Sequence, residues 1–211
     1  MKTKNRDAVA TKSKILENAI KLFAKNGFDA TSMDDVAKKS GVNKAMIYYY
    51  YKNKSSLYQE VMSSILSKLH KKIEKEHKKC KTPFEKLESF IKIYASYCFK
   101  YPYFPTLVLR ELSHGGKNIP NMIFGGLRDV FSVLISILKE GEEKKVFDDV
   151  NPMVIHFMIV GTLNLFCATK ELREKAHSID SSLDTCVEKD IVEISEYIYK
   201  KIKKMMEVDH D

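Results

Sequence analysis

The sequence has few residues that interrupt helices, and its cysteines are few and scattered. Glycine (8) and proline (5) are sparse among 211 residues, which favours long helices over many turns. The four cysteines, Cys80, Cys98, Cys167 and Cys186, include no C-x-x-C pair, so the pattern supports neither a metal site nor a disulfide framework. It favours reduced, buried and inert thiols over redox-sensing ones. We expect no metal or other cofactor.

Targeting segments and long apolar runs are also missing. Residues 1–10 are polar and basic and read as a loose arm, with no apolar centre of the kind a signal peptide has. The most apolar stretch, 153–168, contains His156, Thr162 and Asn164 and is shorter than the ~20 residues that a membrane span requires. We therefore expect a cytoplasmic protein with no membrane partner, in which this stretch is a buried helix.

The positive charge is concentrated at one end of the chain. Hydrophobic residues make up 44% of the sequence and supply a core, and the net charge is +8. Residues 1–60 carry a net charge of +6 and residues 61–80 carry +4, whereas residues 81–211 carry −2. A solubilising surface explains such a bias as well as a polyanion partner does. The charge therefore indicates DNA binding only if a DNA-binding motif lies in the same region.

Apolar residues recur at helical spacing throughout, and no alternating strand pattern is present. The sequence predicts an all-α protein of about nine helices: an N-terminal three-helix helix-turn-helix domain, then a helical ligand-binding and dimerisation domain. The predicted helices begin near Thr11, after Ser32, at Lys44, Lys54, Pro83, Pro102, Pro120 and Pro152, and after Asp184. The eighth is expected to run from Pro152 to about Lys175. We place the domains at residues 8–54, with the motif at about 32–51, and at residues 55–211.

Residues 32–51 have the features of a helix-turn-helix. Ser32 is a helix cap, Gly41 permits a tight turn, and Asn43 is a good cap for a short third helix. That helix ends in four consecutive tyrosines, which cannot all face inward, so at least two should be exposed. Its outward residues are predicted to be Lys44, Ala45, Tyr48 and Tyr49. A helix that presents lysine and tyrosine outward suits a DNA major groove.

The run TSMDDVAKKSGVNKAMIYYYYKNKSSL, at residues 31–57, resembles the DNA-binding domain of the TetR family of bacterial repressors. The resemblance covers about a quarter of the chain and matches many positions in order. It departs from the family pattern at Asn43, Ala45, Tyr51 and Ser55. It implies a nine-helix subunit whose last two helices form a dimer interface, and a cavity for a small ligand that releases the protein from DNA.

The resemblance also implies a role for individual residues. Thr31 and Ser32 would contact phosphate, and Tyr50 and Lys54 would hold the DNA backbone. The groove-reading residues would be the four outward ones of the third helix. The implied partner is a palindromic double-stranded operator, bound by a homodimer with its two motifs one turn of DNA apart.

The residues of the larger domain suggest an unknown, mostly hydrophobic effector and a dimer face. Its candidate ligand residues are aromatic or are polar groups within apolar helices: Phe90, Tyr94, Tyr97, Phe104, His114, Phe131, His156 and Asn164. For each one alone, core packing or a structural hydrogen bond is the simpler interpretation. The candidate dimer-interface residues are Met153, Phe157, Val160, Gly161, Ile191, Ile194 and Ile198.

The function predicted from the sequence is therefore a sequence-specific transcriptional regulator, a homodimeric repressor that a small hydrophobic ligand releases. The alternative is an activator, or a regulator without a ligand, on the same fold. An enzyme is not expected, because no phosphate loop, catalytic triad or metal spacing is present. A non-specific architectural DNA binder is not expected either, because residues 81–211 carry a net negative charge.

Overall fold

The computed structural model describes residues 2–117 and 121–208 of the chain, and these are helical apart from connecting loops and one isolated bridge between Phe147 and Glu207. The helices are α1 (Lys2–Asn26), α2 (Met33–Ser40), α3 (Lys44–Tyr50), α4 (Lys54–His77), α5 (Pro83–Lys100), α6 (Tyr103–Ser113), α7 (Asn121–Glu143), α8 (Pro152–His156), α9 (Thr162–Ala168), α10 (Lys170–Ile179) and α11 (Ile191–Met206). A π-helical turn (Phe157–Gly161) joins α8 to α9. The all-α prediction is confirmed.

The first three helices pack around apolar side chains that are continuous with the core of the rest of the chain. Ile15 and Phe23 on α1 are fully buried with Val36 on α2 and Ile47 on α3. Gly27 ends α1 with a left-handed φ of 86°, as the sequence predicted. The predicted start of α1 near Thr11 is wrong, since the helix begins at Lys2. The first ten residues contain no glycine or proline, so their polarity alone does not interrupt the helix.

Helix α4 connects the first three helices to the rest of the chain. Apolar residues recur every four positions along one face of α4, and every one of them is buried: Leu57, Val61, Ile65, Leu69 and Ile73. The helix packs against α1 near its start and against α5 and α7 further along. A helix of 24 residues is about 36 Å long, so it can transmit a rigid displacement from one part to the other.

Helix α5 is the centre of the larger part. It begins with a capping box between Thr82 and Glu85, followed by Pro83 in the first turn, which confirms the predicted start. Helices α4, α7, α9 and α11 all pack against it. Helix α6 lies between α9 and α1, so it also contacts both parts of the chain. The predicted start of α7 at Pro120 lies outside the described residues.

The predicted long eighth helix is interrupted twice. The π-helical turn breaks its hydrogen-bond pattern, and the chain bends by 63° between Ala168 and Lys170. At the bend the hydroxyl of Thr169 donates to the carbonyl of Leu165 at 2.6 Å, and such back-bonding bends helices. The segment is also less buried than predicted, since Val154, Phe157 and Leu165 are each more than half exposed.

The last helix begins later than predicted. Asp184 accepts a hydrogen bond from the amide of Cys186 within a loop, and α11 starts instead after Asp190. The Asp190 carboxylate accepts from the amides of Val192 and Glu193, and Glu193 closes the capping box. An acidic cap with Glu three residues later is the stronger start signal.

In the described part of the chain, no single helix has both the length and the apolar composition of a membrane span. The bent pair Pro152–Ala168 and Lys170–Ile179 meets these two criteria only when taken together.

Candidate nucleic-acid interface and adjoining cavity

Helices α2 and α3 form the predicted helix-turn-helix, and local chemistry fixes both of their starts. The Ser32 hydroxyl accepts from the amide of Asp35, and the Asp35 carboxylate accepts from the amide of Ser32. Gly41 makes the turn with a left-handed φ of 61°, which a glycine adopts without strain. Asn43 then caps α3 by accepting from the amide of Ala45 at 2.9 Å. These capping and turn residues could be identified from the sequence alone.

The tyrosine run on α3 divides between core and solvent. Tyr51, directly after the helix, is buried, as is Ile47 one turn earlier. Tyr49 is 83% exposed and Tyr48 is 44% exposed, which confirms that at least two tyrosines face solvent. Ala45 is exposed beside them. The outward face of α3 therefore carries two tyrosines and a small residue, next to a lysine at its start.

Lys44, the cation on this face, is paired within the chain. Its Nζ lies 2.7 Å from a carboxylate oxygen of Asp34 on α2, and this hydrogen bond raises the pKa of Lys44 above its ordinary value. Both side chains are more than half exposed, so water screens the pair and it contributes little to stability. A phosphate or a base acceptor can thus replace Asp34 as the partner of Lys44 at small cost.

Two predicted phosphate contacts are placed differently by the structure. Thr31 is buried, and its hydroxyl donates to the carbonyl of Gly27 at 2.7 Å. Lys54 directs its Nζ to the carbonyl of Asp29 at 3.1 Å and lies over the ring of Phe28. Both side chains hold the turn between α1 and α2, because that turn has buried and exposed polar groups to satisfy. They therefore stabilise the turn that precedes the helix-turn-helix.

The other two predicted backbone contacts lie at the surface or close to it. Ser32 is exposed at the start of α2, and its hydroxyl is 2.6 Å from the Asp35 carboxylate. Tyr50 is half-buried, with its ring between those of Tyr49 and Tyr51 at centroid distances of 5.2 and 6.5 Å. Both side chains lie next to the outward face of α3.

A cavity of about 520 Å³ lies in the larger part of the chain, and it is lined almost entirely by apolar side chains. Five of the eight predicted ligand residues line it: Tyr94, Phe104, Phe131, His156 and Asn164. Its walls come from α4 through α9. A volume of this size lies within the range of small-molecule sites.

Three predicted ligand residues lie elsewhere. Phe90 is fully buried against Tyr94 in the core. Tyr97 is buried too, and its hydroxyl donates to the carbonyl of Ile65 at 2.9 Å. His114 is exposed just after α6, with its Nδ1 2.7 Å from the carbonyl of Arg110. Several aliphatic lining residues were missed: Leu66, Leu69, Val108, Leu109, Leu112, Leu127, Val130 and Val160. Their sequence pattern is that of ordinary helix cores, so no signal distinguished them.

The cavity lining contains few polar groups. The Nδ2 of Asn164 donates to the hydroxyl of Tyr94 at 3.0 Å, so these two satisfy each other. His156 packs edge-on against Phe131 at 4.9 Å, and its Nδ1 is buried without a hydrogen-bond partner. Burial lowers the pKa of His156, which favours the neutral imidazole. Arg128 also lines the cavity, so the cavity offers an apolar volume with a buried imidazole nitrogen and a cation in its wall.

The predicted dimer face needs correction. Ile191, Ile194 and Ile198 on α11 are buried within their own subunit, because α11 packs this stripe against α5. Met153, Phe157, Val160 and Gly161 line the cavity, although Phe157 is also 64% exposed. Other large apolar side chains on α8 to α11 and their loops are exposed: Val154, Met158, Leu165, Leu172, Ile179, Leu183, Val192, Tyr197 and Met205. An exposed set of this extent marks an interaction surface.

Comparisons with known proteins agree with this arrangement. Residues 15–61 match the family model of bacterial regulatory proteins, tetR family. The chain is 29% identical over 136 residues to the biofilm operon icaADBC HTH-type negative transcriptional regulator IcaR of Staphylococcus aureus (strain Newman), covering 64% of this chain and 72% of that one.

Solved structures share the fold over nearly the whole chain. A putative fatty acid metabolism regulator of Clostridium perfringens superposes with a TM-score of 0.73 at 21% identity, over 93% of this chain and 100% of that one. The transcriptional regulator FadR of Bacillus subtilis, in complex with stearoyl-CoA, superposes with a TM-score of 0.69 at 20% identity, over 89% and 95%.

Proposed function

We propose that this chain, a DNA-binding transcriptional regulator with a tetR-family domain at residues 15–61, is a homodimeric repressor released from a palindromic operator by a hydrophobic ligand. In this proposal residues 8–54 bind DNA, and residues 55–211 bind the effector and form the dimer. The observation that carries it is the exposed face of α3, which presents Tyr48 and Tyr49 beside Lys44. The relative named as a negative regulator supports repression in particular.

The DNA-reading role of α3 follows from its chemistry. Lys44 supplies a cation for a base acceptor or a phosphate once it leaves Asp34, and the two tyrosines supply ring edges and hydroxyls for thymine methyls and phosphates. Ala45 leaves room for the helix to approach the groove closely. Thr31 and Lys54 act indirectly, because they fix the turn before α2. The proposed contact set is therefore Ser32, Lys44, Ala45, Tyr48, Tyr49 and Tyr50.

Helix α6 is the proposed route from the cavity to the DNA-binding part. Val108 and Leu112 on α6 line the cavity, while Arg110 and Glu111 between them face the other way. The Arg110 guanidinium reaches the carbonyl of Lys25 at the end of α1, at 3.5 Å. Glu111 accepts a hydrogen bond from the hydroxyl of Tyr58 on α4. A ligand that displaces α6 therefore displaces α1, and in a dimer this changes the spacing of the two α3 helices.

The recognition helix is tested by two variants and a matched control. Lys44→Ala and Tyr49→Ala remove exposed atoms only, so folding and dimerisation should persist while DNA affinity falls. Each lost contact should cost about 1–3 kcal/mol, or roughly 5- to 150-fold in Kd. Phe99→Ala removes an exposed aromatic ring from α5, 71% exposed and outside both α3 and the exposed apolar set of α8 to α11, and should bind DNA as the unaltered chain does. Equal affinity of all three variants would remove α3 from the interface.

The effector is tested with stearoyl-CoA, the molecule held by the B. subtilis regulator of the same fold. Saturating probe should release the chain from labelled DNA, because an apolar chain fits the cavity between α4 and α9. Val108→Phe adds a ring to the cavity wall and should keep DNA binding while weakening the response to the probe. If stearoyl-CoA releases the variant from DNA as readily as the unaltered chain, the ligand binds outside the cavity.

A further inference from the structure

Two cysteines that are far apart in the sequence meet where α5 packs on α9. Tyr94 and Cys98 lie one turn apart on α5, and Asn164 and Cys167 lie one turn apart on α9, so the two pairs face each other. The amide of Asn164 donates to the hydroxyl of Tyr94 at 3.0 Å, and the thiol of Cys98 donates to Oδ1 of Asn164 at 3.7 Å. Because Cys167 follows Asn164 by one turn on the same face of α9, the thiols of Cys98 and Cys167 are neighbours across this helix contact.

The two thiols have opposite environments. Cys98 is fully buried, and burial raises the pKa of its thiol. Cys167 is half-buried, and the neighbouring Cys98 thiol, with the charge of Arg173, lowers the pKa of the Cys167 thiol. The Arg173 guanidinium is fixed in place, because it stacks on the ring of Phe166 at 3.9 Å and donates to the carbonyl of that residue. A partly exposed thiol near a cation, beside a second thiol, is the arrangement of reactive cysteine pairs.

We propose that Cys98 and Cys167 form a peroxide-reactive thiol pair, in which Cys167 is the attacking thiolate and Cys98 the resolving thiol. The Cys167 thiolate attacks one oxygen of hydrogen peroxide, the O–O bond breaks, and the hydroxide that leaves takes a proton to form water. The product is a sulfenic acid at Cys167. The Cys98 sulfur then attacks the Cys167 sulfur, the S–O bond breaks, and hydroxide leaves with the Cys98 proton as a second water. Two thiols are oxidised to one disulfide while one peroxide is reduced to two waters.

The disulfide changes the wall of the effector cavity. A sulfur–sulfur bond of about 2.05 Å is shorter than any thiol–thiol hydrogen bond, so its formation draws α5 towards α9. It also removes the thiol hydrogen that Cys98 donates to Asn164. Asn164 and Tyr94 both line the cavity. The redox state of the pair and the shape of the cavity are therefore linked.

The proposal is tested on the full chain by chemistry alone, so its outcome does not depend on DNA binding. The purified protein is treated with equimolar hydrogen peroxide, alkylated, digested without reductant and analysed by mass spectrometry. We expect loss of two of the four thiols, a decrease in mass of about 2 Da and a cross-linked peptide pair containing Cys98 and Cys167. Reductant should reverse all three changes.

Three variants identify the roles of the two thiols. Cys167→Ser should abolish the cross-link, and Cys98→Ala should leave a sulfenic acid at Cys167 that dimedone traps. Cys80→Ser is the matched control, since Cys80 is also half-buried but its thiol donates only to the carbonyl of Glu76; it should cross-link as the unaltered chain does. The proposal is overturned if the unaltered chain, folded by circular dichroism, yields no Cys98–Cys167 peptide. It is also overturned if Cys80 is oxidised before Cys167.

Discussion

Removing the hydroxyl of Tyr58 would leave a buried carboxylate without a donor. Glu111 is 1% exposed, and one of its carboxylate oxygens accepts from Tyr58 at 2.5 Å. Its other oxygen is buried with no partner. Burial, followed by the bond to Glu111, raises the pKa of Tyr58 well above its ordinary value, so the hydroxyl remains a donor. The Tyr58→Phe variant keeps the ring in its edge contacts with Phe23 and Phe28.

The expected loss of stability follows from the charge of the acceptor. A hydrogen bond to a charged group contributes about 1.5–3 kcal/mol, and an orphaned buried charge adds its own desolvation cost, so we expect Tyr58→Phe to lose about 3 kcal/mol. Tyr97→Phe is the matched control. Its hydroxyl is equally buried but donates to a backbone carbonyl, that of Ile65, and the neutral bond should be worth about 1 kcal/mol.

Urea unfolding followed by circular dichroism measures both losses of stability. All variants are compared at one protein concentration, because the stability of a dimer depends on concentration. In the double variant Tyr58→Phe with Glu111→Leu, no charge is left without a donor, so the second substitution should recover part of the loss. If the losses in free energy of unfolding from the two single substitutions simply add in the double variant, the carboxylate is not orphaned by Tyr58→Phe. Equal losses for Tyr58→Phe and Tyr97→Phe would refute the argument as well.

Further outcomes follow from glycine packing, histidine burial and the exposed apolar face. Gly141→Ala should lose about 1–3 kcal/mol in urea unfolding, because a Cβ there would overlap the Phe147 ring; Gly125→Ala meets open space on the same helix and should instead gain up to about 1 kcal/mol. Because burial lowers the pKa of His156, the folded chain binds this proton less readily than the unfolded chain, so stability is lost as the pH falls below about 6.5. His156→Leu should reduce the difference in urea midpoint between about pH 7.5 and about pH 5.5, and an unchanged difference would assign it to other groups. The double variant Val154→Glu with Leu165→Glu should elute as a monomer in size-exclusion chromatography. Val9→Glu, at an exposed apolar position of α1, should remain a dimer. If both variants are dimers, the interface does not include Val154 and Leu165.

The helix-turn-helix could be predicted from the sequence because its determinants are local. The Ser32 cap, the Gly41 turn and the Asn43 cap each act within three or four residues. The division of the tyrosine run follows from geometry, because four consecutive side chains on a helix point in different directions. The start of α1 was not predictable in the same way, since polarity without a helix-breaking residue leaves the end undefined.

The face left for the proposed second subunit was not predictable, because an apolar stripe does not identify its partner. Ile194 and Ile198 form a regular stripe on α11, and that stripe packs against α5 of the same chain. The exposed apolar residues of α8 and α9, such as Val154 and Leu165, lie in the most apolar stretch of the sequence, where buried and exposed positions are both apolar. Tertiary packing alone decides which of the two faces is left for a second subunit.

Only part of the cavity lining could be predicted from the sequence, for a related reason. Tyr94 was predicted as an aromatic residue and Asn164 as a polar group in an apolar helix, and both line the cavity. Phe90 belongs to the same stripe as Tyr94 but lies in the packed core. A cavity is defined by the space between helices, and a sequence encodes the side chains without their separations. The pairing of Cys98 with Cys167 was hidden for the same reason.

The most direct test of the regulator account is the fluorescence anisotropy of the purified chain on labelled DNA from upstream of its own gene, at moderate salt with excess random competitor. The account predicts tight binding that resists the competitor, with two subunits on each site. Binding that the competitor abolishes on this DNA, and on every fragment of a genomic library, would contradict sequence-specific recognition by α3.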